Sequence, residues 1–244
     1  MKEKGNFRGK FYFALALAGI VIVLVLNSIF NPTLCNIRRE YKSSGDLYIH
    51  DVKNKISELE KEKIKDPTTI LRLSEQYNLL GMYYLEKRLW DMAIDAFSSS
   101  MKYGNAKAPV SYSLGLAYVN RGSEKNSQED LSKAESHYRR ALEISGNYAD
   151  AKYALAILLF YHKNGKDEAQ ALLNEIITRN KAYYPARFAL GRFNYELGYR
   201  EKALTIYQEL ASDLEKLPPS ELSSDYKEQC RNNITRIQME LTGK

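Results

Sequence analysis

The chain is poor in the residues from which disulfide scaffolds and metal sites are built. Its 244 residues include 2 cysteines and 3 histidines. A disulfide-built domain and a Cys/His zinc framework each need several such residues at fixed spacings, so the composition excludes both. The histidines, His50, His137 and His162, are far apart and share no motif. We therefore expect no metal ion and no cofactor.

Signatures of catalysis are also missing. The sequence contains no G-x-S-x-G, no H-E-x-x-H and no glycine-rich phosphate loop. Two carboxylate pairs, Glu129-Asp130 and Asp167-Glu168, each precede a predicted helix, where negative charge stabilises the positive end of the helix dipole. We expect no catalytic residue, no small-molecule substrate and no enzymatic activity.

The net charge of +6 is concentrated at one end of the chain. The first ten residues carry four basic side chains and one acidic side chain, whereas the remaining residues carry 32 basic and 29 acidic side chains. The body is thus nearly neutral, which excludes a nucleic-acid-binding protein with a basic face. Residues 1–10 form a short basic tail.

Residues 11–30 form a long apolar run, FYFALALAGIVIVLVLNSIF, and no charged residue occurs between Lys10 and Arg38. A helix of this length spans about 30 Å, the thickness of the hydrocarbon core of a bilayer. We therefore predict a single transmembrane helix that attaches the chain to the cell membrane. One alternative is a signal peptide that is removed. The other is a lipoprotein signal that ends at Cys35, although Leu34 fits poorly before a lipid-modified cysteine.

Basic residues flank both ends of this segment, so the positive-inside rule is nearly balanced. A very short N-terminal tail followed by a large C-terminal part is typical of a bacterial signal anchor. We predict that the tail lies in the cytoplasm and the C-terminal domain on the periplasmic or extracytoplasmic side. A domain that faces the cytoplasm is the alternative.

Residues 31–73 are predicted to form a juxtamembrane linker and a helix. The linker contains Pro32, two serines and a glycine. Val52, Ile56 and Leu59 lie three and four residues apart, which predicts a helix over Asp46 to Lys65 with one narrow apolar stripe. This helix either serves as a docking helix or spacer, or packs as a cap on the domain that follows.

An internal repeat dominates the rest of the chain. Each of four stretches has a leucine followed by a small residue, at Leu80-Gly81, Leu114-Gly115, Leu155-Ala156 and Leu190-Gly191. Each continues with an alanine and, four residues later, a large apolar residue; these pairs are Ala93 and Phe97, Ala134 and Tyr138, Ala169 and Leu173, and Ala203 and Tyr207. Both marker series have spacings of 41, 35 and 34 residues. Two markers with the same spacings establish a repeat.

These markers resemble the tetratricopeptide repeat, a helix-turn-helix unit of about 34 residues. The resemblance implies an all-α solenoid over residues 74–217, with repeats at 74–107, 108–148, 149–183 and 184–217. Departures from the family pattern are Ala156 and Leu159 in the third repeat and seven extra residues in the second. The extra residues fall in the polar stretch Arg121 to Asp130. We interpret that stretch as a solvated loop, or else as a lip that contacts a partner.

Repeats of this kind need caps at their ends, because each buries its apolar face only against its neighbours. Residues 218–244 are predicted to form a C-terminal capping helix. Its apolar stripe comprises Leu222, Tyr226, Cys230, Ile234, Ile237 and Leu241. Cys230 lies within the stripe, so we expect a buried thiol and not a reactive one.

In the resembled family, the first helix of each repeat lines a concave groove that binds polypeptides. Carried over by register, ten residues form the predicted groove of this chain: Asn78, Met82, Tyr112, Leu116, Tyr153, Ile157, Tyr161, Phe188, Arg192 and Tyr195. An apolar, aromatic surface of this kind suits an apolar peptide or an amphipathic helix. The alternative is that the chain fills the groove with its own terminal helix.

The function expected from these features is that of a membrane-anchored scaffold or adaptor. It would bind a protein or peptide partner through the predicted groove, in the assembly of a bacterial envelope. Two other functions fit the same features. One is a structural subunit of a stable envelope complex, and the other is a periplasmic holdase-like chaperone with many clients.

Overall fold

The computed structural model of the chain describes residues 45–62, 65–217 and 221–243. Within these ranges it contains ten helices and no strand. The chain divides into two units, Met1–Ile64 and Lys65–Lys244. In the described part of the chain, no helix combines the length and apolar character that a membrane span requires. The predicted transmembrane segment, residues 11–30, lies outside the described residues.

Helix α1, Gly45–Lys61, belongs to the first unit. Its buried side chains are Ile49, Val52 and Ile56, and Leu59 is half-buried. The predicted stripe is therefore confirmed, with Ile49 added one turn before Val52. The helix ends at Lys61 and not at Lys65.

The second unit consists of four helix hairpins and a final helix. The hairpins are α2 (Pro67–Glu86) with α3 (Trp90–Lys102), α4 (Ala108–Lys125) with α5 (Gln128–Ile144), α6 (Ala149–His162) with α7 (Lys166–Arg179), and α8 (Tyr184–Glu196) with α9 (Arg200–Glu215). The final helix is α10, Glu221–Thr242. Each helix packs on the next one in the sequence, and the first helices of neighbouring hairpins also contact one another. The predicted all-α solenoid is confirmed.

Local sequence signals define the ends of these helices. Pro67, Pro109 and Pro185 lie in the first turns of α2, α4 and α8, where a missing N–H costs nothing. The side chain of Asp66 caps α2 by accepting a hydrogen bond of 2.8 Å from the Thr69 amide. The first repeat therefore begins with a helix that starts at Pro67, upstream of residue 74.

The turn inside each hairpin contains one residue with a positive φ. These residues are Arg88 (59°), Asn126 (51°), Asn164 (53°) and Gly198 (86°). Glycine and asparagine tolerate this left-handed conformation, whereas a long side chain is strained in it. Arg88 is thus the exception among four equivalent turns.

Close contact between the two helices of a hairpin depends on the small residue of the first helix. A Cβ atom at Gly81 would lie 2.6 Å from Cδ1 of Phe97, and one at Gly191 would lie 3.0 Å from Cε1 of Tyr207. The aromatic ring of the second helix therefore packs directly on the glycine. The third hairpin has Ala156 and Leu173 at these places, and both are fully buried. In this hairpin an alanine replaces the glycine of the other hairpins, and a leucine replaces their larger aromatic residue.

The prediction of a solvated loop at Arg121 to Asp130 is wrong. Helix α4 continues to Lys125, and only Asn126 and Ser127 separate it from α5. Arg121 donates two hydrogen bonds to the buried carboxylate of Asp130, at 2.7 and 2.8 Å, and a third to Asp91 at 2.6 Å. The bidentate pair with Asp130 holds the extended hairpin together, and the contact with Asp91 ties this hairpin to the first repeat. The polar insertion therefore has a fixed structure.

Helix α10 closes the array. Tyr226, Cys230 and Ile237 are buried, Ile234 is half-buried and Leu241 is exposed at the end of the helix. The predicted stripe is confirmed along most of its length, and Cys230 is a buried free thiol as expected. Burial raises the pKa of the Cys230 thiol to about 12.

Candidate functional site

The ten residues of the predicted groove lie on the four first helices, α2, α4, α6 and α8. These helices contact one another in order, so the residues form one continuous row along the array. Tyr112 and Leu116 are buried, with 5% and 3% of their surface exposed. The other eight residues are half-buried. The part of the row with accessible aromatic surface therefore lies on α6 and α8.

Tyrosines that follow the second helix of each of the first three hairpins contact rings of the first helices and hold them in place. Tyr103 stacks on Tyr77 with ring centroids 5.7 Å apart. In the next two hairpins, Tyr148 lies 5.3 Å from Tyr112, and Tyr183 lies 6.0 Å from Tyr153. Sequence analysis missed these three tyrosines. The signal was present, since Tyr148 and Tyr183 end the second and third repeats and Tyr103 lies four residues before the end of the first, but it lies outside the helix markers.

The tyrosine hydroxyl groups on this face are neutral. Tyr183 donates a hydrogen bond of 2.7 Å to Asp150, and burial together with the Asp150 charge raises the pKa of Tyr183. Burial also raises the pKa of Tyr153 to about 12. Both tyrosines therefore present uncharged rings at physiological pH.

A first seam, formed by Tyr161, Arg192 and Glu196, joins α6 to α8. The Tyr161 hydroxyl donates to Glu196 at 2.8 Å, and Arg192 Nε donates to the same carboxylate at 2.9 Å. The Arg192 guanidinium lies over the Tyr161 ring, 5.2 Å from its centroid. Beside the seam, the rings of Phe160 and Phe193 stack at 3.7 Å. Charged and aromatic contacts together fix these two helices against each other.

A second seam, formed by Tyr195, Arg236 and Glu240, repeats this arrangement between α8 and α10. The Tyr195 hydroxyl donates to Glu240 at 2.5 Å, and the Arg236 guanidinium lies 4.3 Å from the centre of the Tyr195 ring. The arginine again precedes the glutamate by four residues, although here Glu240 is paired with Arg200 at 2.8 Å. Helix α10 thus takes the place that the first helix of a further repeat would occupy.

Helix α10 also contacts the predicted groove at its C-terminal end. Tyr226 of α10 lies 5.9 Å from Phe188, and the second seam covers part of Tyr195. At the opposite end, Met82 accepts a hydrogen bond from Ser113 at 3.8 Å, and Asn78 lies one helical turn before Met82. The middle of the row, around Ile157, Tyr161 and Arg192, lies between these two ends.

The residues with acid–base or metal-binding chemistry are scattered. His50 lies on α1, His137 on α5 and His162 at the end of α6. His137 stacks on Tyr118 at 5.4 Å, and burial lowers the pKa of both His137 and His162. Across residues 45–62, 65–217 and 221–243, no group of three or more His, Cys, Asp or Glu side chains lies together as a metal site would require.

Comparisons with known proteins show what the chain resembles. No family model matches the sequence, and no curated protein matches it. Solved structures do match. MamA is 20% identical, with a TM-score of 0.56 over 73% of this chain and 94% of that one. TTC0263, a thermophilic tetratricopeptide-repeat protein of Thermus thermophilus, is 15% identical, with a TM-score of 0.56 over 90% and 99% of the two chains.

A third match is YrrB, described as a tetratricopeptide-repeat protein with an unusual peptide-binding site. It is 20% identical, with a TM-score of 0.50 over 78% of this chain and 95% of that one. At these identities the likeness concerns the fold. The chain therefore has the tetratricopeptide-repeat fold that its sequence markers predicted.

Proposed function

We propose that this chain is a non-enzymatic scaffold that binds a protein or peptide partner through the predicted groove, at the row of residues on α6 and α8. The fold supports a role in protein–protein interaction, and the similar protein YrrB is described by its peptide-binding site. Burial of apolar surface against a few aromatic anchors would supply the affinity.

One observation carries this proposal. The half-buried rings on α6 and α8 are already held in place by Tyr183 and the two seams. A side chain that is fixed before binding loses little conformational entropy when a partner arrives. Aromatic residues fixed in this way are the residue type that dominates binding energy at protein interfaces.

The test is affinity capture from detergent-solubilised membranes with the full-length chain as bait. The variant Ile157→Glu places a charge in the middle of the row, on a half-buried side chain that carries no hydrogen bond. Met92→Glu is the matched control, because Met92 is 44% exposed and lies on α3, which contributes no residue to the predicted groove.

We expect one or a few proteins that are captured by the wild type and by Met92→Glu but not by Ile157→Glu. Circular dichroism must show unchanged helicity in both variants. Equal capture by all three chains would contradict binding at this row. A fixed set of subunits in every preparation would favour the structural role, and many unrelated clients would favour the chaperone role.

We further propose that residues 11–30 anchor the chain in the membrane as a single pass, with the repeat domain outside the cytoplasm and a role in assembling a bacterial envelope. The support is the uncharged apolar run and the short basic tail before it. Protease added to intact spheroplasts should digest the repeat domain. Survival of the domain until the membrane is broken would contradict this orientation. Retention in membranes by a Cys35→Ser variant would distinguish the anchor from a lipoprotein.

A further inference from the structure

The turn of the third hairpin, between α6 and α7, contains the one Asn-Gly pair of the sequence, Asn164-Gly165. Asn164 is the turn residue with a positive φ, 53°, and its side chain is exposed. Asparagine and glycine tolerate this left-handed conformation better than other residues do. The backbone of the turn therefore accounts for the asparagine.

Packing accounts for the glycine that follows. A Cβ atom at Gly165 would lie 3.1 Å from Cδ2 and 3.2 Å from Cβ of Leu159, and Leu159 is itself buried. A close-packed interior leaves little room for such a contact to relax. The turn thus needs asparagine or glycine at one position and glycine at the next, so the Asn-Gly pair is a consequence of the fold.

An asparagine that precedes a glycine can react with its own main chain. The Gly165 nitrogen attacks Cγ of Asn164, and no side chain on Gly165 hinders the approach. A bond forms between this nitrogen and Cγ, the Cγ–Nδ2 bond breaks, and Nδ2 leaves as ammonia with the proton that the Gly165 amide loses. Water then opens the cyclic imide at either of its two carbonyl groups, which gives aspartate or isoaspartate. Water is the only other reactant.

The folded turn holds this reaction back. The Gly165 N–H donates a hydrogen bond of 3.0 Å to the Leu159 carbonyl group. The amide must give up this proton before its nitrogen can attack, so the hydrogen bond must first break. Turns open locally at a lower free energy than global unfolding requires. The rate of reaction at Asn164 therefore depends on how often this turn opens.

We infer that Asn164 is a site of spontaneous deamidation, and that opening of the third hairpin turn controls its rate. This inference concerns the lifetime of the folded chain and is independent of the proposed function. Isoaspartate inserts one extra carbon atom into the main chain, directly before the amide that bonds to Leu159. The product therefore loosens the hairpin to which α6 belongs.

Asn126 is a matched comparison within the same chain. It is exposed and occupies the same place in the second hairpin, with a φ of 51°. The residue after it, Ser127, carries a side chain, and Ser127 Oγ accepts a hydrogen bond of 3.2 Å from the Asp130 amide. The Ser127 amide donates to the Gly122 carbonyl group at 2.8 Å. We therefore expect Asn126 to react much more slowly than Asn164.

The first experiment follows the full-length chain in detergent over several weeks at mildly alkaline pH. Peptide mapping by mass spectrometry, with an enzymatic assay for isoaspartate, gives the extent of reaction at each asparagine. We expect aspartate and isoaspartate to accumulate at position 164 and not at position 126. The rate should be roughly tenfold or more lower than in the chain unfolded in guanidinium chloride, because the folded turn is open for only part of the time.

The variant Asn164→Gly supplies the control for the consequence of the reaction. It copies Gly198 of the fourth turn and keeps the positive φ, but it has no side-chain amide. The melting temperature of the wild type should fall as isoaspartate accumulates, whereas that of Asn164→Gly should stay constant over the same period.

A second experiment tests control by the turn. Leu159→Ala removes the side chain that packs on Gly165, and Leu158→Ala truncates the neighbouring leucine, which is also buried. Hydrogen exchange of the Gly165 amide measures opening of the turn in each variant. We expect the rate of deamidation at Asn164 to rise in proportion to this exchange rate, and to rise most in Leu159→Ala. If either variant fails to fold, the folded and unfolded wild type still provide the comparison.

Three results would overturn the inference. The first is an unmodified Asn164 in the folded chain after the time in which the unfolded chain is converted. The second is an equal rate in the folded and unfolded chains, or a rate that does not follow hydrogen exchange across the variants. The third is conversion of Asn126 as fast as that of Asn164. None of these results depends on capture of a partner, so they leave the test of the proposed function separate.

Discussion

A Cβ atom at Gly115 would lie 2.6 Å from Cε1 of Tyr138, closer than a carbon atom can approach a ring without displacing it. The fully buried tyrosine ring and the absent side chain are therefore complementary, and together they set the distance between α4 and α5. The third hairpin carries the other solution, Ala156 with Leu173.

The variant Gly115→Ala should destabilise the protein by about 1–3 kcal/mol, because the added methyl group overpacks the helix interface. This expected loss is the net change in stability. It remains after a gain of about 1 kcal/mol in helix propensity, because alanine is the better helix former. The double variant Gly115→Ala with Tyr138→Leu copies the third hairpin and should recover part of the stability. Urea unfolding of these two variants and of the single variant Tyr138→Leu tests this, and strictly additive losses would show that the two residues are not coupled.

Replacement of Arg88 by asparagine should stabilise the protein by about 0.5–1 kcal/mol. Arg88 has a φ of 59°, a conformation that costs a long side chain more than asparagine, and Asn126 and Asn164 occupy the same place in later turns. The reciprocal variant Asn164→Arg should lose a comparable amount. Thermal unfolding of both variants provides the check. A loss on Arg88→Asn would mean that the contacts of its side chain with Trp90 and Glu124 outweigh the backbone strain.

The variant Arg121→Lys should destabilise the protein by roughly 1–3 kcal/mol, even though it keeps the charge. A lysine cannot form the bidentate contact with Asp130, whose side chain is buried. Asp91→Asn removes the outer, exposed contact of the same arginine and should cost less. Equal losses for the two variants in urea unfolding would contradict the assignment of the stabilising contact to Asp130.

Stability should decrease as the pH falls from about 7 to 5, around the ordinary histidine pKa. Burial lowers the pKa of His137 and His162, so the unfolded chain takes up protons in this range that the folded chain does not. The slope cannot exceed about 1.4 kcal/mol per pH unit for each histidine, because each imidazole takes up at most one proton.

His137→Phe keeps the ring stacked on Tyr118 and removes the titrating group, so its stability should depend less on pH over the same range. Chemical unfolding at several pH values, for the wild type and the variant, gives the comparison. An unchanged slope in His137→Phe would show that other groups cause the dependence.

Much of this fold could be predicted from the sequence, because its strongest determinants are local and repeated. Gly81, Gly115 and Gly191 identify the close contacts within hairpins, and the stripe around Cys230 identifies the closing helix. The insertion was predicted wrongly because its composition is that of a loop. Its small residue Gly122 packs against Asp130 and Leu131, which a count of polar residues does not reveal.

The contacts between hairpins could not be predicted in the same way. Tyr161 and Glu196 lie 35 residues apart, and Tyr195 and Glu240 lie 45 apart, so no single repeat contains either pair. Of these contacts, the sequence shows only the four-residue spacing of Arg192 and Glu196, which is repeated at Arg236 and Glu240. The burial of Tyr112 beside Tyr148 and the partial burial of Tyr153 beside Tyr183 likewise depend on how neighbouring elements stack.

Site-specific photo-crosslinking in intact membranes tests the central claim most directly. A photoreactive phenylalanine analogue would replace Ile157 in one full-length variant and Met92 in another, and adducts would be identified by mass spectrometry. We predict a defined polypeptide crosslinked from position 157 and absent from position 92. Adducts from position 92 but none from position 157 would contradict binding of a partner at the row on α6 and α8.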